Sequence, residues 1–289
     1  MGNERSSDMG LKKNELHHYT EANRRAWDQS APVHRSRERF RELLDGFSQP
    51  GYSCLKQVEV ERLLAIGVEQ KDVAQVCCNN GRELLSIKNL GAGRCVGFDQ
   101  APGFIAQARE LATAGELSCE FVKTNAYEIS HEFDQAFDLV VITIGVFGWM
   151  PDLLGFFDVL TRLIRPGGHL FIHEQHPITN MLETRATDPF ALAYSYFKPD
   201  PFVEEDVIVY DSQTAGQGET HYWFVHTLGD LLTACLEHEL ELVHFAESPE
   251  NISSEEFDIY AGQEAQLPLS YTLTAKRSPS AMTSHGPHR

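Results

Sequence analysis

The sequence predicts an α/β protein built on a doubly wound, seven-stranded, mostly parallel sheet. Three observations predict it. Short apolar runs alternate with helix-like segments from Asp72 to His173, and that rhythm implies parallel strands joined by helical crossovers. Phe137 to Ile144 (FDLVVITI) is continuous and rich in β-branched residues, as expected of a strand buried on both faces. Pro166-Gly167-Gly168 ends a helical segment just before the next apolar run, a stop signal at the expected place.

The elements follow in order. Glu21 to Phe47 is helical in pattern, with Pro32 expected to divide it into two shorter helices. Leu55 to Ile66 is a third helix, with Leu55, Val58, Leu63 and Ile66 available for a buried face. Strands are expected at 72–77, 94–98, 120–123, 137–144 and 169–173, and helices at 81–90, 102–114 and 153–164. Pro102 suits a first helical position. After Pro177 the rhythm breaks. A hairpin is expected from Asp206–Tyr210 pairing with His221–Val225 across a Gly-rich turn. Thr227–His238 resumes as helix, and Leu240–Phe245 and Leu269–Ala275 give the last two strands.

Charge narrows the partners. The chain has 24 Lys+Arg against 42 Asp+Glu, a formal charge of −18. Phosphate backbones and anionic lipid are repelled by that total, so neither nucleic acid nor a membrane surface is an expected partner. No apolar run approaches the roughly 20 residues of a membrane span. Met181 to Ala265 holds 18 acidic residues and only Arg185 and Lys198 as bases. That segment reads as a solvated face, as a negative rim favouring a cationic or amine substrate, or as a contact in a homo-oligomer. Six cysteines form no C-x-x-C pair, and the N-terminus lacks the apolar core of a secretory signal. Reduced thiols in a cytoplasm are the expectation.

In open α/β sheets, ligands bind beyond the carboxyl ends of the strands, where strand order reverses. The sensitive turn here is Val76-Cys77-Cys78-Asn79-Asn80-Gly81-Arg82, and Asp99 ends the second strand 18 residues beyond Gly81. An acid so placed can accept hydrogen bonds from a ribose diol, which suggests an adenosine ligand. The run Val73 to Glu110 (VAQVCCNNGRELLSIKNLGAGRCVGFDQAPGFIAQARE) resembles the class I S-adenosylmethionine-dependent methyltransferases, small-molecule branch. Their Gly-x-Gly-x-Gly turn falls on Cys77, Asn79 and Gly81, so only the last glycine is kept. Asn tolerates a left-handed backbone better than most residues.

The resemblance implies S-adenosylmethionine as cofactor, a Rossmann-like methyltransferase fold with an N-terminal helical lid and an inserted α/β cap, and further binding positions. These are Asp99 with Gln100, Asn125-Ala126 near the adenine, Thr143 and Ile144 on the methionine side, and Tyr19 as a lid residue closing over the cofactor. The implied division is a disordered leader at 1–15, the lid at 16–66, the core at 67–177, the cap at 178–226, a C-terminal part completing the core at 227–277, and a disordered tail at 278–289.

Methyl transfer chiefly needs alignment and exclusion of water, with a base only when the acceptor must lose a proton. His176 and His226 are the candidate catalytic bases or substrate orienters. Trp27, His34, Phe147 and Trp223 are candidates for the wall around a small, neutral or cationic acceptor; Trp149 also follows the fourth strand. His169, His173, Glu174 and His176 cluster in sequence, but the H-E-x-x-H spacing is absent and no metal is assigned. The rival readings are a catalytically silent cofactor-binding or regulatory protein, and a dinucleotide oxidoreductase. The second would need a G-x-G-x-x-G turn that Cys77–Arg82 does not supply.

Overall fold

The computed structural model describes residues 11–210 and 216–279. Most of the expected leader and of the expected tail lies outside the described residues. The N-terminal helices are α1 (Lys13–Ser36), α2 (Glu38–Phe47) and α3 (Gln57–Ile66). The core runs β1 (Val73–Val76), α4 (Arg82–Asn89), β2 (Cys95–Asp99), α5 (Pro102–Ala114), β3 (Glu120–Lys123), β4 (Phe137–Thr143), α6 (Leu153–Leu163) and β5 (Ile164–Gln175). After it come β6 (Phe202–Asp206), β7 (Gln217–Trp223), α7 (Leu228–Glu237), β8 (Leu240–Ser248) and β9 (Ser270–Arg277).

Seven strands form one sheet in the order β3-β2-β1-β4-β5-β9-β8. β9 is antiparallel to both its neighbours, and the other pairings are parallel. Strand order reverses between β1 and β4, so the loops after these two strands diverge and leave a crevice between them. The sheet is apolar on both faces. Ala74, Val76, Val96, Phe98, Val140 and Ile142 pack with residues of α6 and α7. Val73, Cys95, Leu139, Val141 and Phe171 pack under α2 to α5. Alternation along each strand feeds both layers, which is why β4 has to be apolar throughout.

Four expectations are corrected. α1 continues through Pro32, because Ala22, Asn23, Ala26, Ser30 and Ala31 make one buried face across it and a single missing N–H does not outweigh that face. The break comes at Arg37, whose backbone is extended (φ −70°, ψ 151°). β5 begins at Ile164 rather than His169, and Gly167 (φ +81°) takes up a register shift instead of ending the chain's pairing. The hairpin pairs Phe202 with Trp223 and Glu204 with His221, not 206–210 with 221–225. The apolar run after Asp206 is used against α1 instead: the Ile208 amide donates to Ser30 Oγ (3.0 Å), and His34 Nε2 meets the Ile208 carbonyl (2.9 Å). Finally, the described part of 178–226 contains the hairpin and one 3-10 turn but no α-helix, where an α/β insertion was expected.

Asn23 ties the hairpin to α1. Its Nδ2 donates to the Tyr222 carbonyl (3.1 Å), and its Oδ1 accepts from the Tyr222 amide (2.8 Å). The side chain thereby serves as one rung of a strand partner. Replacing Asn23 with alanine orphans both backbone groups at about 1–3 kcal/mol each. Amide exchange over 217–223 is expected to speed up at least tenfold; unchanged exchange would show the clamp to be dispensable.

Candidate functional site

A cleft of about 740 Å³ opens at the reversal point. Its floor is the turn after β1 and the residues closing β4. Cys77 (φ +58°), Asn79 (φ +50°) and Gly81 (φ +71°) all take the left-handed conformation. These are the three alternate positions at which the sequence comparison placed glycines. Only at Gly81 is a side chain excluded outright: a Cβ there would lie 2.5 Å from the Phe121 ring. Cys77 and Asn79 keep their side chains at some backbone strain, and both line the cleft. Burial pushes the Cys77 and Cys78 thiols well up, so they are packing groups rather than nucleophiles.

Asp99 sits directly behind this turn. Its Oδ2 accepts from the Asn79 amide (2.8 Å) and its Oδ1 from the Ala101 amide (2.9 Å). The Gln100 amide also engages the carboxylate, so about one of its lone pairs stays open, and Asp99 lies behind the cleft lining rather than on it. Burial raises its pKa above the usual carboxylate range, opposed by the Ala101, Asn79 and Gln100 amides.

Thr143, Ile144 and Gly145 form the opposite edge of the floor. Thr143 Oγ1 accepts from Gln75 Nε2 (2.8 Å), and the Ile144 amide donates to the His173 carbonyl (3.1 Å). The loop that follows wraps around Glu174, a buried residue that the sequence reading gave no role. Its carboxylate accepts from the amides of Gly145 (2.5 Å), Val146 (2.8 Å), Phe147 (3.4 Å) and Gln175 (2.7 Å). Gly145 is left-handed (φ +83°) and Val146 right-handed, which turns successive N–H groups inward into an anion nest.

The walls are aromatic and charged. Trp27, Trp149 and Trp223 follow one another edge to face, with centroids 5.2 Å and 5.1 Å apart. Trp223 lies flat on Gly148, where a Cβ would come within 2.3 Å of the ring, and its Nε1 donates to Asn180 Oδ1 (2.9 Å). His34 also lines the cleft. Arg37, Arg39, Lys56 and Arg82 face in from the α2–α4 side; Glu183, Glu204, Asp206, Glu255, Glu256 and Asp258 face in from the other.

The remaining expected positions lie elsewhere. His176 is buried outside the cleft, with Nε2 on Glu247 Oε1 (2.9 Å) and Nδ1 accepting from the Ile178 amide (3.1 Å), so both nitrogens are used structurally. His226 donates from Nε2 to the Met150 carbonyl (2.7 Å) and lines a separate cavity of about 30 Å³ behind Trp223. Burial lowers its pKa, leaving it neutral. Phe147 is a core residue stacked on Phe157 (5.9 Å) rather than a wall. Tyr19 turns onto Tyr222 and Phe224 (4.8 and 5.1 Å). Asn125 caps the turn at Ala126–Glu128 by accepting from the Tyr127 amide (3.1 Å), and Ala126 is buried in the core. Gln100 is half-buried beside Asp99 and does not reach the cleft lining. The sequence cluster at 169–176 is dispersed: His173 faces Glu59 (3.0 Å), Glu174 the nest and His176 Glu247.

Comparison with known proteins agrees with this arrangement. A methyltransferase domain family matches residues 73–168. No curated protein sequence matches the chain. Among solved structures, an S-adenosylmethionine-dependent methyltransferase from Listeria monocytogenes is similar at a TM-score of 0.57 and 15% identity, over 76% of this chain and 97% of that one. One from Methanosarcina mazei gives 0.54 and 16%, over 78% and 98%. One from Mesorhizobium loti gives 0.52 and 15%, over 76% and 96%. At these identities the neighbours establish the fold, and the family match places a methyltransferase domain on its cofactor half. Residues 73–168 thus match a methyltransferase domain, set in the fold that these S-adenosylmethionine-dependent methyltransferases have.

Proposed function

We propose that the chain transfers a methyl group to a small, neutral or cationic acceptor held in the cleft between the N-terminal helices, acting as a lid, and the β6–β7 hairpin, acting as a cap. The observation that carries this reading is the turn at 77–81. Three left-handed residues lie over a buried carboxylate at the reversal point of the sheet. A phosphate-bearing dinucleotide would want small residues there for close approach. A methionine-bearing cofactor has no phosphate, so the side chains of Cys77 and Asn79 are compatible with it.

The fit to S-adenosylmethionine rests on the remaining lone pair of Asp99, which suits a ribose hydroxyl, and on the side-chain Nδ2 of Asn79, which suits the carboxylate of the amino-acid end, with Thr143 and Ile144 beside it. When bound, the cofactor supplies a methyl on a sulfonium, open to in-line displacement. The chain's own part is alignment and exclusion of water. Trp27, Trp149 and Trp223 offer ring faces to a planar or cationic acceptor. The acidic wall on the cap side favours a cation and disfavours an anion. His176 and His226 are not assigned proton transfer in this reading, since both nitrogens of His176 and Nε2 of His226 are already engaged and neither residue lines the cleft.

Calorimetry with S-adenosylmethionine and its demethylated product tests the first half. Both are expected to bind at one site per chain; binding of neither would overturn the reading. Labelled methyl should then pass to neutral or amine-bearing acceptors and not to carboxylate or phosphate analogues.

A further inference from the structure

The cap wall carries a cluster of groups that take no part in the methyl-transfer step itself, although two of them belong to the acidic wall. Glu204 and Asp206 are alternate residues of β6, and His221 of β7 pairs directly with Glu204. Alternate and cross-strand residues share one face of a hairpin, and all three line the cleft.

Their polar atoms converge. His221 is 2% exposed. Its Nδ1 lies 3.2 Å from the Glu219 carbonyl, and a nitrogen facing a carbonyl must carry the hydrogen and donate. That bond aims Nε2 at the two acids, 3.3 Å from Glu204 Oε2 and 3.7 Å from Asp206 Oδ1. Asp206 Oδ1 is itself buried and accepts no hydrogen bond. The three atoms lie within 4.8 Å of one another. A tetrahedral ion with bonds of about 2.1 Å has edges of about 3.4 Å between its ligand atoms, close to both distances from Nε2. A backbone carbonyl on the far nitrogen is the usual outer support of a metal-binding imidazole.

We propose that Glu204, Asp206 and His221 bind one divalent transition-metal ion on the acceptor side of the cleft. One imidazole and two carboxylates suit Zn²⁺, Mn²⁺ or Fe²⁺ better than Ca²⁺ or Mg²⁺. Three protein ligands leave a position open to water or to a donor atom of the acceptor. The ion would offset two of the acidic charges on this wall. The hairpin holds the geometry tightly: Gly218 packs on the Asp206 backbone, and a Cβ there would lie 2.3 Å from its carbonyl oxygen. The proposal does not depend on the identity of the methyl acceptor.

The test uses the full chain, stripped with a chelator and titrated with Mn²⁺ under electron paramagnetic resonance, then with Zn²⁺ as a displacing ion. One equivalent of Mn²⁺ is expected to bind and to be released by Zn²⁺. Asp206→Asn and His221→Gln should each weaken binding at least tenfold. Glu205→Gln changes the intervening exposed residue and should leave binding unchanged. Circular dichroism and cofactor calorimetry on every variant separate loss of the ion from loss of the fold, and a failed cofactor titration would count against the methyl-transfer reading without touching the metal result. Absence of a stoichiometric ion in the unaltered chain would overturn the proposal, because a proton on His221 Nε2 then suffices to hold the cluster. Retention of Mn²⁺ in both His221→Gln and Asp206→Asn would overturn it equally.

Discussion

Replacing Asp99 with alanine is expected to weaken S-adenosylmethionine binding about 100-fold in a calorimetric titration. A hydrogen bond to a charged acceptor contributes about 1.5–3 kcal/mol. A ribose hydroxyl losing that acceptor therefore accounts for about one to two decades of affinity. The same substitution frees the Asn79 amide, so the turn at 77–81 loses its anchor as well. Asp99→Asn separates the two effects: it keeps one acceptor and the side-chain volume, and a loss of about tenfold is expected. Unchanged affinity in the alanine variant would place the ribose elsewhere.

The pH dependence has a definite sign. Burial raises the Asp99 pKa above the ordinary carboxylate value, which is about 3.9. In the free protein the carboxylate is thus protonated at a higher pH than usual. Cofactor affinity should fall by up to about tenfold per pH unit below that raised pKa, and Asp99→Asn should flatten the profile. For folding the sign is opposite. A raised carboxyl pKa favours the neutral form in the native state, so this contribution to stability is present at low pH. It declines as pH rises from the unfolded to the folded pKa.

The sheet was legible in the sequence because its physics is local. β4 must be apolar at every position to serve two layers, and FDLVVIT is. Pro102 at a first helical position, Gly81 before α4 and Gly167 beside Pro166 are punctuation that depends on backbone shape alone. The turn at 77–81 is legible for the same reason: its three alternate positions are left-handed although only one of them is glycine. The cap was not. Whether 202–206 or 206–210 joins β7 is decided by what α1 offers the losing segment, namely Ser30 and His34. The placement of the histidines is not legible, because residue type shows capacity for proton transfer and nothing about partners. His176 is taken up by Glu247 and Ile178, whereas His221, a residue without a motif, faces the cleft. Trp149 was noted only as following β4, and its place between Trp27 and Trp223 depends on the hairpin folding back over Gly148.

Glu174 carries the second large expected effect. It stands in a sequence cluster that invites a metal reading, yet its four donors are all backbone amides from its own strand end and the loop after β4. Burial raises its pKa, and the Gly145, Gln175, Val146 and Phe147 amides oppose that rise. Glu174→Ala removes the acceptor that these amides share among the described residues and leaves a cavity at the end of β5. Leaving one buried donor unpaired costs about 1–3 kcal/mol. Part of the loop can turn its amides to water, so a loss of about 3–5 kcal/mol is expected from the denaturant midpoint. Glu174→Gln is the sharper variant. It preserves volume, but its amide nitrogen donates and would face N–H groups that also donate. It should therefore cost about 2 kcal/mol or more, where a pure packing role would cost almost nothing. The same loop contributes Gly145 and Trp149 to the cleft, so cofactor affinity should fall in both variants while they remain folded. A midpoint within about 0.5 kcal/mol of the unaltered chain in Glu174→Gln would show that the nest is closed by something other than this carboxylate.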